Sequence, residues 1–144
     1  QTYKETLDLE PRFFWANRDL GVALYEKHAF PESIEALEKA NFVSDGNPGV
    51  MAALGWCYAM TGNTAKAEHI LNILSELSRK TYVPPYHVAA VYAGLGRKDQ
   101  ALDYLDRAYQ DRSSWMNGIR VDPLFNGLHI EPRFVAILKK MGLG

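Results

Sequence analysis

The side chains best suited to hold a metal or attack a substrate are four histidines and a single cysteine. His28, His69, His87 and His129 show no HExxH or other spacing that sets two imidazoles on one helix face for zinc. His69 and His87 fall in different structural units, with no carboxylate spaced to complete a site, so all four read as turn or surface histidines. Cys57 stands among Leu54, Gly55, Trp56, Tyr58 and Ala59, where a thiol behaves as a small buried apolar group. No GxSxG elbow, phosphate loop or dinucleotide fingerprint is present. Gly94-Leu95-Gly96 reads as the end of a helix, and the acidic residues are scattered over solvated faces. The expectation is a protein without catalytic residues, metal or cofactor.

Composition narrows the classes further. With 144 residues, the chain suits one domain with a core of its own. Hydrophobic residues at 47% and charged residues at 23% argue for a folded rather than a disordered chain. A formal net charge of -1 gives no basic face for nucleic acid. One cysteine allows no internal disulfide, which favours a reducing compartment, and a cytoplasmic location is expected. No apolar run approaches the roughly 18 residues of a membrane span, and no signal peptide is visible. The chain opens at Gln1 in mid-pattern and is expected to be part of something longer.

The elements that must carry any function are set by a repeat. Leu54-Gly55-Trp56-Cys57-Tyr58 recurs 34 residues upstream as Leu20-Gly21-Val22-Ala23-Leu24, and 34 downstream as Val88-Ala89-Ala90-Val91-Tyr92. Three units follow from that period, over residues 14–47, 48–81 and 82–115, each read as helix, tight turn, helix. Residues 1–13 form a partial unit with Tyr3 and Leu7 along one side. It is broken at Glu10-Pro11, because proline lacks the amide hydrogen and disfavours helix just before it. Gly21, Gly55 and Ala89 share one position and Ser33, Ala67 and Ala101 another; such small side chains let two backbones approach. Leu37, Leu71 and Leu105 fill the space further along. Gly62 and Gly96 fall where a left-handed residue ends the first helix. His28 takes that place in the first unit, which predicts a looser or differently shaped turn.

After Trp115 the register breaks. Asp122-Pro123-Leu124-Phe125 and Glu131-Pro132-Arg133-Phe134 repeat the acidic-Pro-x-Phe pattern of Glu10-Pro11-Arg12-Phe13. Phe134, Ile137, Leu138 and Met141 then make a helical stripe, read as a cap over residues 116–144 that covers the apolar end of the stack.

The pattern Leu-Gly-x-x-Tyr, Gly, Ala, Leu, Ala resembles the tetratricopeptide repeat, although Asn17, Met51 and Pro85 stand where the family places a tryptophan. The resemblance implies an all-α fold, a right-handed superhelical stack of antiparallel helix hairpins. It also implies a non-catalytic protein–protein interaction module, and the ending is similar to the C-termini of larger bacterial regulators. First helices of this family line a groove. That places Trp15, Arg18, Val22 and Tyr25 of the first unit on it, with Ala52, Trp56 and Met60 of the second and Tyr86 and Ala90 of the third. An apolar or amphipathic protein segment is the expected partner; nucleic acid and membrane are not. The alternative for single rings is that they pack within or between units or lie under the C-terminal segment. The alternative function is a regulatory input domain that self-associates through the edge near Tyr3 and Leu7, or docks on an attached effector.

Overall fold

The computed structural model describes residues 12–143, and all regular structure among them is helical. Six helices form three consecutive pairs: α1 (Arg12–Glu26) with α2 (Phe30–Val43), α3 (Pro48–Met60) with α4 (Thr64–Ser78), and α5 (Pro85–Gly94) with α6 (Lys98–Gln110). Two 3-10 turns, Ser114–Gly118 and Pro123–Leu128, lead to α7 (Pro132–Lys140). Prolines open α2, α3, α5 and α7, where a missing amide hydrogen costs nothing. The Asn47 side chain accepts hydrogen bonds from the Gly49 and Val50 amides at the start of α3. The partial unit expected over residues 1–13, with Tyr3 and Leu7, lies outside the described residues apart from the opening of α1.

The turn inside each pair has one form. His28, Gly62 and Gly96 all take positive φ, at 65°, 88° and 75°. Each donates its amide to the carbonyl three residues back, and the next residue donates to the carbonyl five back, which satisfies the last carbonyls of the helix. The different first turn expected from His28 is therefore not found: the histidine accepts the left-handed conformation that glycine takes in the other two units.

Helix α3 is the centre of the molecule. It packs on α1, α2, α4 and α5, and residues 49–58 are buried without interruption. A helix surrounded on all sides needs no polar face, which explains why this one is apolar all round. Close approach is built from glycines. A methyl group on Gly55 would stand 2.9 Å from Ile70 and 3.1 Å from Val91, and one on Gly21 would stand 2.5 Å from Cγ of Leu37. Beside Gly21, the buried Ser33 hydroxyl donates to the Gly21 carbonyl at 2.6 Å and lies 3.3 Å from Cys57 Sγ. Cys57 is fully buried, which raises its pKa and keeps it a thiol.

The C-terminal segment lies on the third pair. Its second 3-10 turn packs on α5 and α7 packs on α6. Phe134 and Ile137 are buried, with Leu138 and Met141 partly so. Arg133 ties α7 down by pairing with both Asp103 and Asp106 of α6, at 2.9 and 2.6 Å. These pairs are exposed and contribute little each; the two apolar side chains do most of the anchoring.

Two substitutions separate packing from backbone conformation. Gly21→Ala gains about 1 kcal/mol of helix propensity, yet overpacking against Leu37 costs about 1–3 kcal/mol, so a net loss is expected in urea denaturation. Gly62→Ala meets no neighbour within 4 Å, and should lose about 1–2 kcal/mol from the left-handed backbone alone. An unchanged midpoint for either variant would contradict these assignments.

Candidate functional site

Helix α3 lies between α1 and α5, and the three first helices meet in two belts of aromatic side chains. One belt crosses their N-terminal ends. A methyl group on Gly49 would stand 2.8 Å from the Trp15 ring and 3.1 Å from His87, so rings from α1 and α5 close over the start of α3 where only glycine leaves room. Arg18 reaches the same place: its Nε donates to the Gly49 carbonyl at 3.4 Å and its Nη1 pairs with Asp19 at 3.2 Å. The other belt crosses the C-terminal ends. Tyr25 meets Trp56 edge to face with centroids 4.7 Å apart, and Phe30 lies 5.1 Å beyond Tyr25. Across from them, a methyl group on Gly94 would strike the Trp56 ring at 2.9 Å and its backbone at 3.1 Å. Helices α3 and α5 therefore touch almost backbone to backbone there.

The first belt is covered by the chain's own C-terminal segment. Trp115 packs against Trp15 at 5.5 Å, His87 at 4.6 Å and Tyr86 at 6.0 Å. Phe125 meets the edge of Tyr86 at 5.0 Å. The Tyr86 hydroxyl donates to Asp122 Oδ2 at 2.6 Å, while Oδ1 of the same carboxylate accepts the Leu124 amide and so opens the second 3-10 turn. Burial, then the Asp122 charge, raise the Tyr86 pKa, which leaves the phenol a permanent donor.

The nine residues placed on the groove from the sequence therefore divide. Val22, Ala52, Trp56, Tyr86 and Ala90 are between 1% and 6% exposed, so they belong to the core and present no surface to a partner. Trp15, Arg18 and Tyr25 are partly open, and Met60 is 44% exposed. Helical spacing sets these residues on one face, but it does not reveal what lies over that face. Trp115, Phe125 and Asp122 were not assigned to the face from the sequence. His87, read there as a turn or surface histidine, is buried inside α5. Its proximity to Pro84-Pro85, which start the helix, was the one local hint.

Among the described residues, no group of three or more histidine, cysteine, aspartate or glutamate side chains is placed to hold a metal ion. No helix among them is long and apolar enough to cross a membrane. Comparison with known proteins found no matching family model, no matching curated protein and no matching solved structure.

His87 makes the covered belt sensitive to acid. Burial, and secondarily the Arg18 charge, lower its pKa from 6.5 to about 4. In the unfolded chain it takes a proton near its ordinary value, so the unfolded state binds more protons between these two values. Stability from this residue is full above about pH 6.5 and falls as the pH drops towards 4, by about 3 kcal/mol at most. Urea denaturation along that interval should show the slope, and His87→Leu should remove this part of it. An equal slope in the variant would assign the acid sensitivity to other groups.

Proposed function

We propose that this chain is a stack of three tetratricopeptide-type helix pairs with a C-terminal cover, and that it binds an apolar or amphipathic segment of another protein. Support comes from the matched small positions Gly21, Gly55 and Ala89, from the identical turns at His28, Gly62 and Gly96, and from the packing of α3 on both α1 and α5. The observation that carries the binding reading is that the first-helix face already holds a stretch of polypeptide. The turn at Pro123–Leu128 sits on α5, buries Leu124 and Phe125, and is fixed by one hydrogen bond to Tyr86. Apolar side chains seated in a pocket carry most of the energy when a groove takes a peptide.

With the N-terminal belt filled in this way, the partner is assigned to the belt at the C-terminal ends of α1 and α3. There Phe30, against half-buried Tyr25, is 36% exposed, and Met60, one helical turn beyond Trp56 on α3, is 44% exposed. Methionine next to aromatic rings makes an adaptable apolar surface, since its thioether is flexible and polarizable. No reaction is part of this reading.

Selection of displayed random peptides on the intact protein tests it directly. The expected result is a family of sequences with apolar residues at helical spacing. Their affinity should fall about tenfold or more in Met60→Glu, as for an interface anchor, with an unchanged melting curve because the position is exposed. Failure to enrich any common pattern, or binding indifferent to Met60→Glu and Phe30→Ser, would overturn the proposal.

A further inference from the structure

On the side of the molecule away from the belts, the second and third pairs do not close against each other. Helix α5 packs extensively on α3 and only slightly on α4. This leaves a crevice of about 350 Å³ between α4, α5 and α6, at the small end of the roughly 300–1,000 Å³ range of ligand pockets. Its apolar wall includes Leu71 and Val88, its rim includes Ser75, and Tyr92, Tyr104 and Arg107 close one side. The two tyrosine rings are stacked with centroids 5.6 Å apart, and the Arg107 guanidinium lies 4.6 Å over Tyr104.

The charge pattern around this crevice is unbalanced. Each nearby carboxylate is already engaged: Glu68 by Arg97 at 2.6 Å, Glu76 by Arg79 at 3.3 Å, and Asp103 and Asp106 by Arg133. Asp111 accepts from the Tyr82 hydroxyl at 2.7 Å. Among the described residues, Arg107 has no ion pair and its guanidinium makes no hydrogen bond; the Tyr104 ring is what holds it. Stacking fixes the plane of a guanidinium and leaves the N–H groups at its edge free, which is the arrangement that receives a carboxylate through two parallel hydrogen bonds. The hydroxyls of Tyr92 and Tyr104 are likewise unengaged among the described residues.

We propose that the crevice between α4, α5 and α6 binds a small aromatic carboxylate, its acid group on Arg107 and its ring against Leu71 and Val88. The crevice is too small for a folded partner or a helix. Its one uncompensated cation selects an anion, and the apolar wall selects a flat body over a sugar or a free phosphate. The site is separate from the peptide-binding belt and does not depend on that reading.

The test is a proton–nitrogen correlation titration of the intact chain with para-hydroxyphenylacetate, and with its neutral amide as the matched control. Saturable shifts confined to residues 71–78, 85–92 and 104–107 are expected for the acid, with the amide about tenfold weaker for want of the charge-assisted bonds. Arg107→Gln should weaken the acid by a similar factor and leave the amide unchanged. Ser75→Phe, an exposed position where a ring would enter the crevice, should abolish both. Equal binding of acid and amide, insensitivity to Arg107→Gln, shifts centred on Met60 and Phe30, or no saturable shift at all would each overturn the proposal.

Discussion

The structure depends on one helix having no outside. Residues 49–58 of α3 are buried all the way round, so four other helices must reach it. They can do so only where side chains are small on one partner or the other. Gly55 admits Ile70 and Val91, Gly94 admits Trp56, and Gly49 admits Trp15 and His87. Protein interiors are packed densely enough that these are not interchangeable choices. Gly49 and Gly55 each set the approach of two neighbouring helices and Gly94 that of one, and together they set the two belts at the ends of α1, α3 and α5. The site and the core are thus the same set of contacts seen from two sides.

Much of this arrangement was legible in the sequence because it is periodic. A spacing of 34 residues located all six paired helices, and the matched small positions identified where backbones approach. The turn at His28 was misread since glycine is the usual left-handed residue, and only the hydrogen bonds of the turn reveal that histidine has been made to accept the same conformation. Five of the nine groove residues, Val22, Ala52, Trp56, Tyr86 and Ala90, lie in the core and not on an open face. Periodicity says which way Trp56 or Tyr86 points relative to its own helix; it carries no information on a segment that folds back from beyond the last repeat. The acid-proline pattern that marks the segment was visible and its packing on the end of the stack was expected, but its cover over the rings of the first helices stood only as an alternative. The buried His87 was lost for the same reason, because Trp115, one of the rings enclosing it, lies 28 positions further along.

Two surfaces of opposite character result. The belts present rings and methionine, with the charge of Arg18 largely covered, whereas the crevice behind α5 presents a cation with nothing to neutralise it. The crevice lies where α5 packs extensively on α3 and only slightly on α4. The looseness at that junction is a defect from the standpoint of packing alone, and Tyr92 and Tyr104 occupy part of it by stacking.

The contact between Trp15 and Trp115 has a further consequence. Helices joined in consecutive pairs, each touching mainly those next to it in sequence, can fold and fray piecemeal, with the ends indifferent to one another. Here rings one hundred positions apart lie 5.5 Å from each other, and His87 of the third pair and Trp15 of the first both reach Gly49. Helix α1, the third pair and the segment that follows it are closed into a loop of contacts. Loss of order in α1 therefore strips a neighbour from Trp115 and His87, and unfolding of the first pair is coupled through these rings to that of the third.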